Sequence, residues 1–258
     1  MILLASIFHS SLANVTTVNE ALASQNHWLF TFCAYAGTII AAVGGAMASS
    51  RVRMDLFGLI CCGSVCALGG GTLRDILLGS LDNVDGSLVR VFWVLPGNEI
   101  YLYMSVISGF VVFYLTKFWE PPHGTLRVLD AFAMAFFTLF GASKAYLMDC
   151  NWLVTLAMGI CTGVAGGALR DLITGNVPYV FRPGELYATA AFVGAACYLL
   201  MLQVGCSAVF SYAAAVVICF GVRMAAVYLN WQLPSYRPIF ETVKVSEEEE
   251  ERHDKKFE

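Results

Sequence analysis

The sequence predicts an all-α integral membrane protein of seven transmembrane helices. The first six form two inverted three-helix repeats, and the seventh stands outside them. Three observations carry this prediction: the composition, the hydropathy pattern and an internal repeat. Hydrophobic residues make up 58% of the 258 residues and charged residues only 13%. A soluble domain of this size carries roughly twice that charged fraction. One soluble core cannot hide so much apolar surface, so lipid must cover the rest.

Hydropathy marks the spans Trp28–Ala48, Phe57–Leu78, Glu99–Phe118, Val128–Met148, Trp152–Ile173, Leu186–Val204 and Ala208–Leu229. Each is close to the ~20 residues that cross a bilayer core as a helix. The connections are short, which leaves no room for an inserted soluble domain. With the N-terminus outside, the inner connections hold Arg51, Arg53, Lys117, Arg127 and Arg182. The inner C-terminal end adds Arg223, Arg237 and Lys244. The outer connections hold Arg90. The positive-inside rule therefore predicts an outer N-terminus and a cytoplasmic C-terminus. In a bacterium this membrane is the inner membrane.

The repeat is read directly. Residues 69–79 are GGGTLRDILLG and residues 165–175 are AGGALRDLITG, an offset of 165 − 69 = 96. The same offset relates Gly45 to Gly141, Gly63 to Gly159, Arg74 to Arg170 and Asp75 to Asp171, whereas Cys66 falls opposite Thr162. A Pro-Gly opens the third helix of each copy, at Pro96-Gly97 and Pro183-Gly184. Three spans per copy is an odd number, so the second copy enters the bilayer from the opposite side. The expected organisation is an extracytoplasmic segment over 1–27, a first repeat over 28–120 and a second over 121–207. The seventh helix follows over 208–234, and an acidic cytoplasmic tail over 235–258 closes the chain.

The net charge of −4 says little about partners. Between Trp28 and Leu229 ten acidic residues balance ten basic ones, and the surplus lies at the ends, chiefly Glu247 to Glu251. Such a run repels itself and reads as a solvated tail. No nucleic-acid partner is expected. Most of the nine cysteines fall in apolar stretches, where Cys behaves as a small hydrophobe. No C-x-x-C and no zinc spacing occurs, so no metal site and no cofactor is expected. G-x-S-x-G, H-E-x-x-H and Walker signatures are missing too, and an enzyme is not expected.

Function candidates come from the repeat and from charges inside spans. Gly69, Gly70, Gly71, Gly166 and Gly167 lie within the second and fifth spans. Glycine runs either break a helix or let two helices approach closely. The break is favoured because both copies keep the same spacing to Arg-Asp. Carbonyls freed by two such breaks would line a cation pathway near the midplane. Arg74-Asp75 and Arg170-Asp171 follow one turn later. Adjacent residues do not share a helix face, so each Arg is expected to pair elsewhere. The pairs read either as structural ion pairs or as carboxylates drawing cations to two mouths. Lys144 in the fourth span matches Ala48 and breaks the symmetry; it reads either as a gating charge or as a lysine snorkelling outward. Asp130, opposite Ala34, is read as serving its helix N-terminus. Arg223 is read as snorkelling to the inner face, above Trp231.

These residues resemble a known family. The two glycine–LRD blocks, Arg182-Pro183-Gly184-Glu185-Leu186-Tyr187 and the ending Arg223-Met224-Ala225 to Trp231-Gln232-Leu233-Pro234 look like the prokaryotic trimeric intracellular cation (TRIC) channels, over roughly Trp28 to Pro234. The resemblance implies a symmetric homotrimer with one pore per protomer, lined by kinked second and fifth helices. It implies K⁺ or Na⁺ as permeant ions and a gating role for Lys144. Related bacterial sequences are often labelled glycine transporters. The expected function is therefore a K⁺-permeable monovalent cation channel, with a secondary carrier of a small zwitterion such as glycine as the alternative.

Overall fold

The structure, a computed structural model, describes residues 27–82, 91–119, 122, 124–182, 186–229 and 231. The N-terminal segment, the acidic tail and Pro183 to Glu185 lie outside the described residues. Among those residues the chain forms seven α-helices. In chain order they are α1 (His27–Arg51), α2 (Leu56–Asp82), α3 (Ile100–Phe118), α4 (Thr125–Leu147), α5 (Trp152–Ile173), α6 (Ala188–Gln203) and α7 (Ala208–Tyr228). Six are long and apolar enough to cross a membrane. The exception, α6, has 16 residues, about 24 Å at helical rise. This is a multi-pass integral membrane protein. Phe32, Phe57, Ile107, Val111, Phe210 and Val217 stay largely exposed on the outer faces, as lipid-facing side chains do.

Local sequence sets the ends of these helices. Asn151 caps α5 by accepting from the Val154 amide at 2.9 Å, and Ser207 caps α7. Pro96-Gly97 turns the chain into α3, with Gly97 at φ +90°, where a Cβ is disfavoured. Short 3₁₀ turns, Phe92–Val94 and Tyr179–Phe181, sit at matching places after α2 and α5. Arg51 donates to the Pro122 carbonyl at 3.2 Å, so the α1–α2 and α3–α4 connections lie at one end of the bundle.

Within each repeat the first two helices pack through glycine, and the contacts repeat at the same offset. A Cβ at Gly45 would press on Cys66 and the Cys62 carbonyl; one at Gly141 would press on Thr162 and the Met158 carbonyl. Gly63 lies against the Ala42 carbonyl and Gly159 against the Thr138 carbonyl. Small residues let backbones approach in a solvent that offers little hydrophobic drive between helices. The two repeats then join through α2 against α5 and α1 against α4.

Candidate functional site

The expected helix breaks are not formed. Both α2 and α5 run as uninterrupted α-helix through Gly69 to Gly71 and through Gly166 and Gly167. Gly70 and Gly166 lie instead at a close contact between the two helices. A Cβ on Gly70 would collide with the Thr162 carbonyl oxygen, and one on Gly166 with the Cys66 carbonyl oxygen. Exchanging each residue for its counterpart in the other repeat, Gly70 for Gly166 and Thr162 for Cys66, turns the first contact into the second, so the α2–α5 crossing carries the pseudo-two-fold of the inverted repeat. Intact helices keep every backbone group bonded internally, as a bilayer demands.

A charged cluster lies on each side of this crossing. In the first, Arg74 Nε donates to Asp75 Oδ1 at 2.8 Å, and Lys144 Nζ reaches the same oxygen at 2.7 Å. In the second, Arg170 Nε donates to Asp171 Oδ1 at 2.8 Å, and Arg170 Nη1 donates to Asp130 Oδ1 at 2.7 Å. The expectation that each Arg pairs elsewhere holds for Arg170, which reaches Asp130, but both arginines also fold back onto the neighbouring aspartate. The other carboxylate oxygen is occupied too. Asp75 Oδ2 accepts from the Phe92 amide and Asp171 Oδ2 from the Tyr179 amide, at 2.8 and 3.1 Å. Each aspartate therefore ties its arginine to the following 3₁₀ turn, and both are buried.

Two further readings change. Asp130 does not serve a helix end; it is buried against Arg170 and lines one cavity with Tyr187. Arg223 does not snorkel. It is 1% exposed, with its guanidinium 4.8 Å from the Tyr187 ring centre. Lys144 extends toward Asp75 across the interface between α4 and α2, with its side chain 36% exposed. Asp130 and Lys144 are fourteen residues apart on α4, about 21 Å along the axis. The clusters therefore sit toward opposite ends of the bundle.

Each cluster borders a small cavity of about 10 Å³. The cavities correspond position for position. Asp130, Met134, Gly163, Gly167, Arg170 and Tyr187 line one; Ala34, Thr38, Ala67, Gly71, Arg74 and Tyr101 line the other. The opposing repeat contributes Ala41, Gly44 and Cys66 to the first, and Phe137, Phe140 and Thr162 to the second. The two differ in chemistry. The Arg170 cavity holds a carboxylate, whereas in the other Arg74 lies among aromatic rings, its guanidinium 5.1 Å from the Phe140 centre and 5.6 Å from that of Phe92.

Comparison with known proteins agrees with this architecture. A family model described as glycine transporter matches residues 31–117 and 127–203. A UPF0126 membrane protein of Vibrio cholerae is 31% identical over 238 residues, covering 91% of each chain. The UPF0126 inner membrane protein YadS of Escherichia coli is 31% identical and covers 78% of this chain and 92% of its own. Among solved structures, the TRIC trimeric intracellular cation channel orthologue from Rhodobacter sphaeroides superposes with a TM-score of 0.71. It is 30% identical and covers 78% of this chain and 98% of its own. The chain belongs to the TRIC family. A second TRIC cation channel superposes at 0.70 with 26% identity, covering 81% of this chain and 98% of its own. These TRIC neighbours are channels, not enzymes. Sequence reasoning about this TRIC chain singled out Arg170 but not its acceptor; an acidic residue opposite an alanine in the sister repeat was the available signal.

Proposed function

We propose that this chain is a K⁺-permeable monovalent cation channel, with its pathway inside the protomer between α1, α2, α4 and α5. The observation that supports it best is the pair of inversion-related cavities on either side of the Gly70–Gly166 crossing, in a chain whose solved neighbours are cation channels. Cavities of about 10 Å³ hold roughly one water each. Conduction on this reading requires α2 and α5 to separate at the crossing and join the two. Such cavities are also too small for glycine, which favours the channel over the carrier. Planar-bilayer recording of the purified protein in KCl tests the reading. Unitary current steps are expected; saturable glycine uptake without steps would replace the channel with a carrier.

Lys144 is the proposed gating charge. It adds a cation at a position where the sister repeat holds the neutral Ala48, and it lies three residues from the end of α4. A unit charge crossing the whole membrane field is worth about 2.3 kcal/mol per 100 mV, and a partial traverse scales down in proportion. Lys144→Ala is expected to raise open probability and flatten its voltage dependence, while Lys144→Arg preserves both. Parent-like gating in both variants would reduce Lys144 to a stabilising partner of Asp75.

The protomer is proposed to form a homotrimer, as in the neighbour described as trimeric. Native mass measurement of the solubilised full chain should give three protomers, and a clean monomer or dimer would refute it. The proposed location is the bacterial inner membrane, as the name of the related Escherichia coli inner membrane protein suggests, and the N-terminus is placed outside on the Lys and Arg distribution.

A further inference from the structure

The inverted repeat makes its own exceptions visible, and one of them lies between the two cavities. Among the described residues, Phe137 of α4 is the residue that lines both. Its counterpart at the repeat offset is Ala41, which lines only the first. A methyl group is too short to reach across, whereas the benzyl side chain extends from its own cavity into its sister's. The depth of Phe137 agrees with this. It stands seven residues after Asp130 and seven before Lys144, about 10 Å along the helix axis from each. Seven residues are close to two turns, so the three side chains leave α4 in one stripe. Phe137 is the apolar member of that stripe, midway between the charged clusters. Gly37 on α1 makes room for the ring, since a Cβ there would lie 3.1 Å from its Cε1.

We propose, resting on the channel reading above, that the Phe137 ring is the seal of the cation pathway, an apolar plug between the two cavities that turns aside when the pore opens. The closed wall then has two parts. On the side of α2 and α5 it is the Gly70–Gly166 crossing, with Cys66 facing one cavity and Thr162 the other. On the side of α4 and α1 it is Phe137 over Gly37. Parting α2 from α5 leaves the ring between the cavities, so both parts must clear. A cation crosses only where oxygens or water replace its hydration shell, and an apolar constriction blocks it by staying dry. The ring supplies no oxygen, and Ile40 and Met134 beside it in the first cavity supply none either. Sealing and voltage sensing are separate tasks in this arrangement, because Lys144 lies two turns away from the ring.

Single-channel recording of the full chain in planar bilayers with symmetric KCl tests the seal, comparing the parent with Phe137→Ala and Phe137→Leu. Phe137→Ala is expected to raise open probability about tenfold at a fixed voltage, the shift expected when the closed state loses its plug. Unitary conductance and voltage dependence should stay as in the parent, since the ring is already clear of the open pore and Lys144 is unchanged. Phe137→Leu keeps part of the apolar bulk and should give a smaller rise, about threefold; it carries the test should the alanine variant fail to fold. Unitary steps in the parent with unchanged open probability in every variant that folds would overturn the seal and leave the channel reading standing. A change confined to unitary conductance would also overturn it, by making Phe137 a wall of the open pore. A parent without unitary steps would remove the channel reading itself, and the seal with it.

Discussion

Replacing Asp130 with alanine is expected to destabilise the protein by about 3–5 kcal/mol, the cost typical of removing one partner from a buried ion pair. Its side chain is 5% exposed and that of Arg170 1%, so water offers little compensation to either. The loss leaves Arg170 Nη1 without its acceptor. Thermal unfolding of the solubilised variant, followed by tryptophan fluorescence, measures the effect. Lys144→Ala provides the contrast. Its side chain is 36% exposed, and pairs screened in this way contribute about 0–1 kcal/mol. Parent-like stability of Asp130→Ala would mean that the second repeat tolerates a missing carboxylate as readily as the first.

Substitution at the α2–α5 crossing is expected to have the second large effect. Gly70→Leu and Gly166→Leu should each cost about 3 kcal/mol or more and abolish cation flux, because overpacking forces backbone shifts. The first side-chain carbon already collides with a carbonyl oxygen, of Thr162 in one case and Cys66 in the other. A carbonyl inside a continuous helix cannot move aside as a side chain can. Gly221 on α7 is the control, since a Cβ there meets nothing within 4 Å. Gly221→Ala should leave stability within about 1 kcal/mol of the parent. The readout is the yield of monodisperse protein together with flux in proteoliposomes. Well-folded Gly70→Leu and Gly166→Leu with unchanged flux would show that the crossing neither holds the bundle nor borders the pathway.

The glycine blocks illustrate where local sequence stops being informative. A run such as Gly69-Gly70-Gly71 equally permits a broken helix and a close helix contact, because one property, the missing Cβ, underlies both. What lies opposite decides between them. Thr162 and Cys66 present carbonyls where only glycine fits, and the helices stay intact. The charged residues teach the complementary lesson. Arg74-Asp75 and Arg170-Asp171 were visible as buried charges needing partners. The partner could not be named, because an arginine reaches back to its neighbour or across to another helix with similar ease.

The sequence by itself determined the membrane class, the seven spans and the inverted repeat. Each rests on a pattern local to the chain: apolar runs of bilayer length, a block repeated at offset 96, and an odd number of spans between copies. The tertiary structure alone decided that Asp130 completes the Arg170 cluster, that Lys144 meets Asp75 and that Arg223 is buried beside Tyr187. It also decided that two cavities of about 10 Å³ flank the crossing, one beside Asp130 and the other beside Ala34. These outcomes depend on helix rotation and on distances between residues 36 to 69 positions apart. Small residues packed across α1, α2, α4 and α5 set those distances, and no single segment of sequence encodes them.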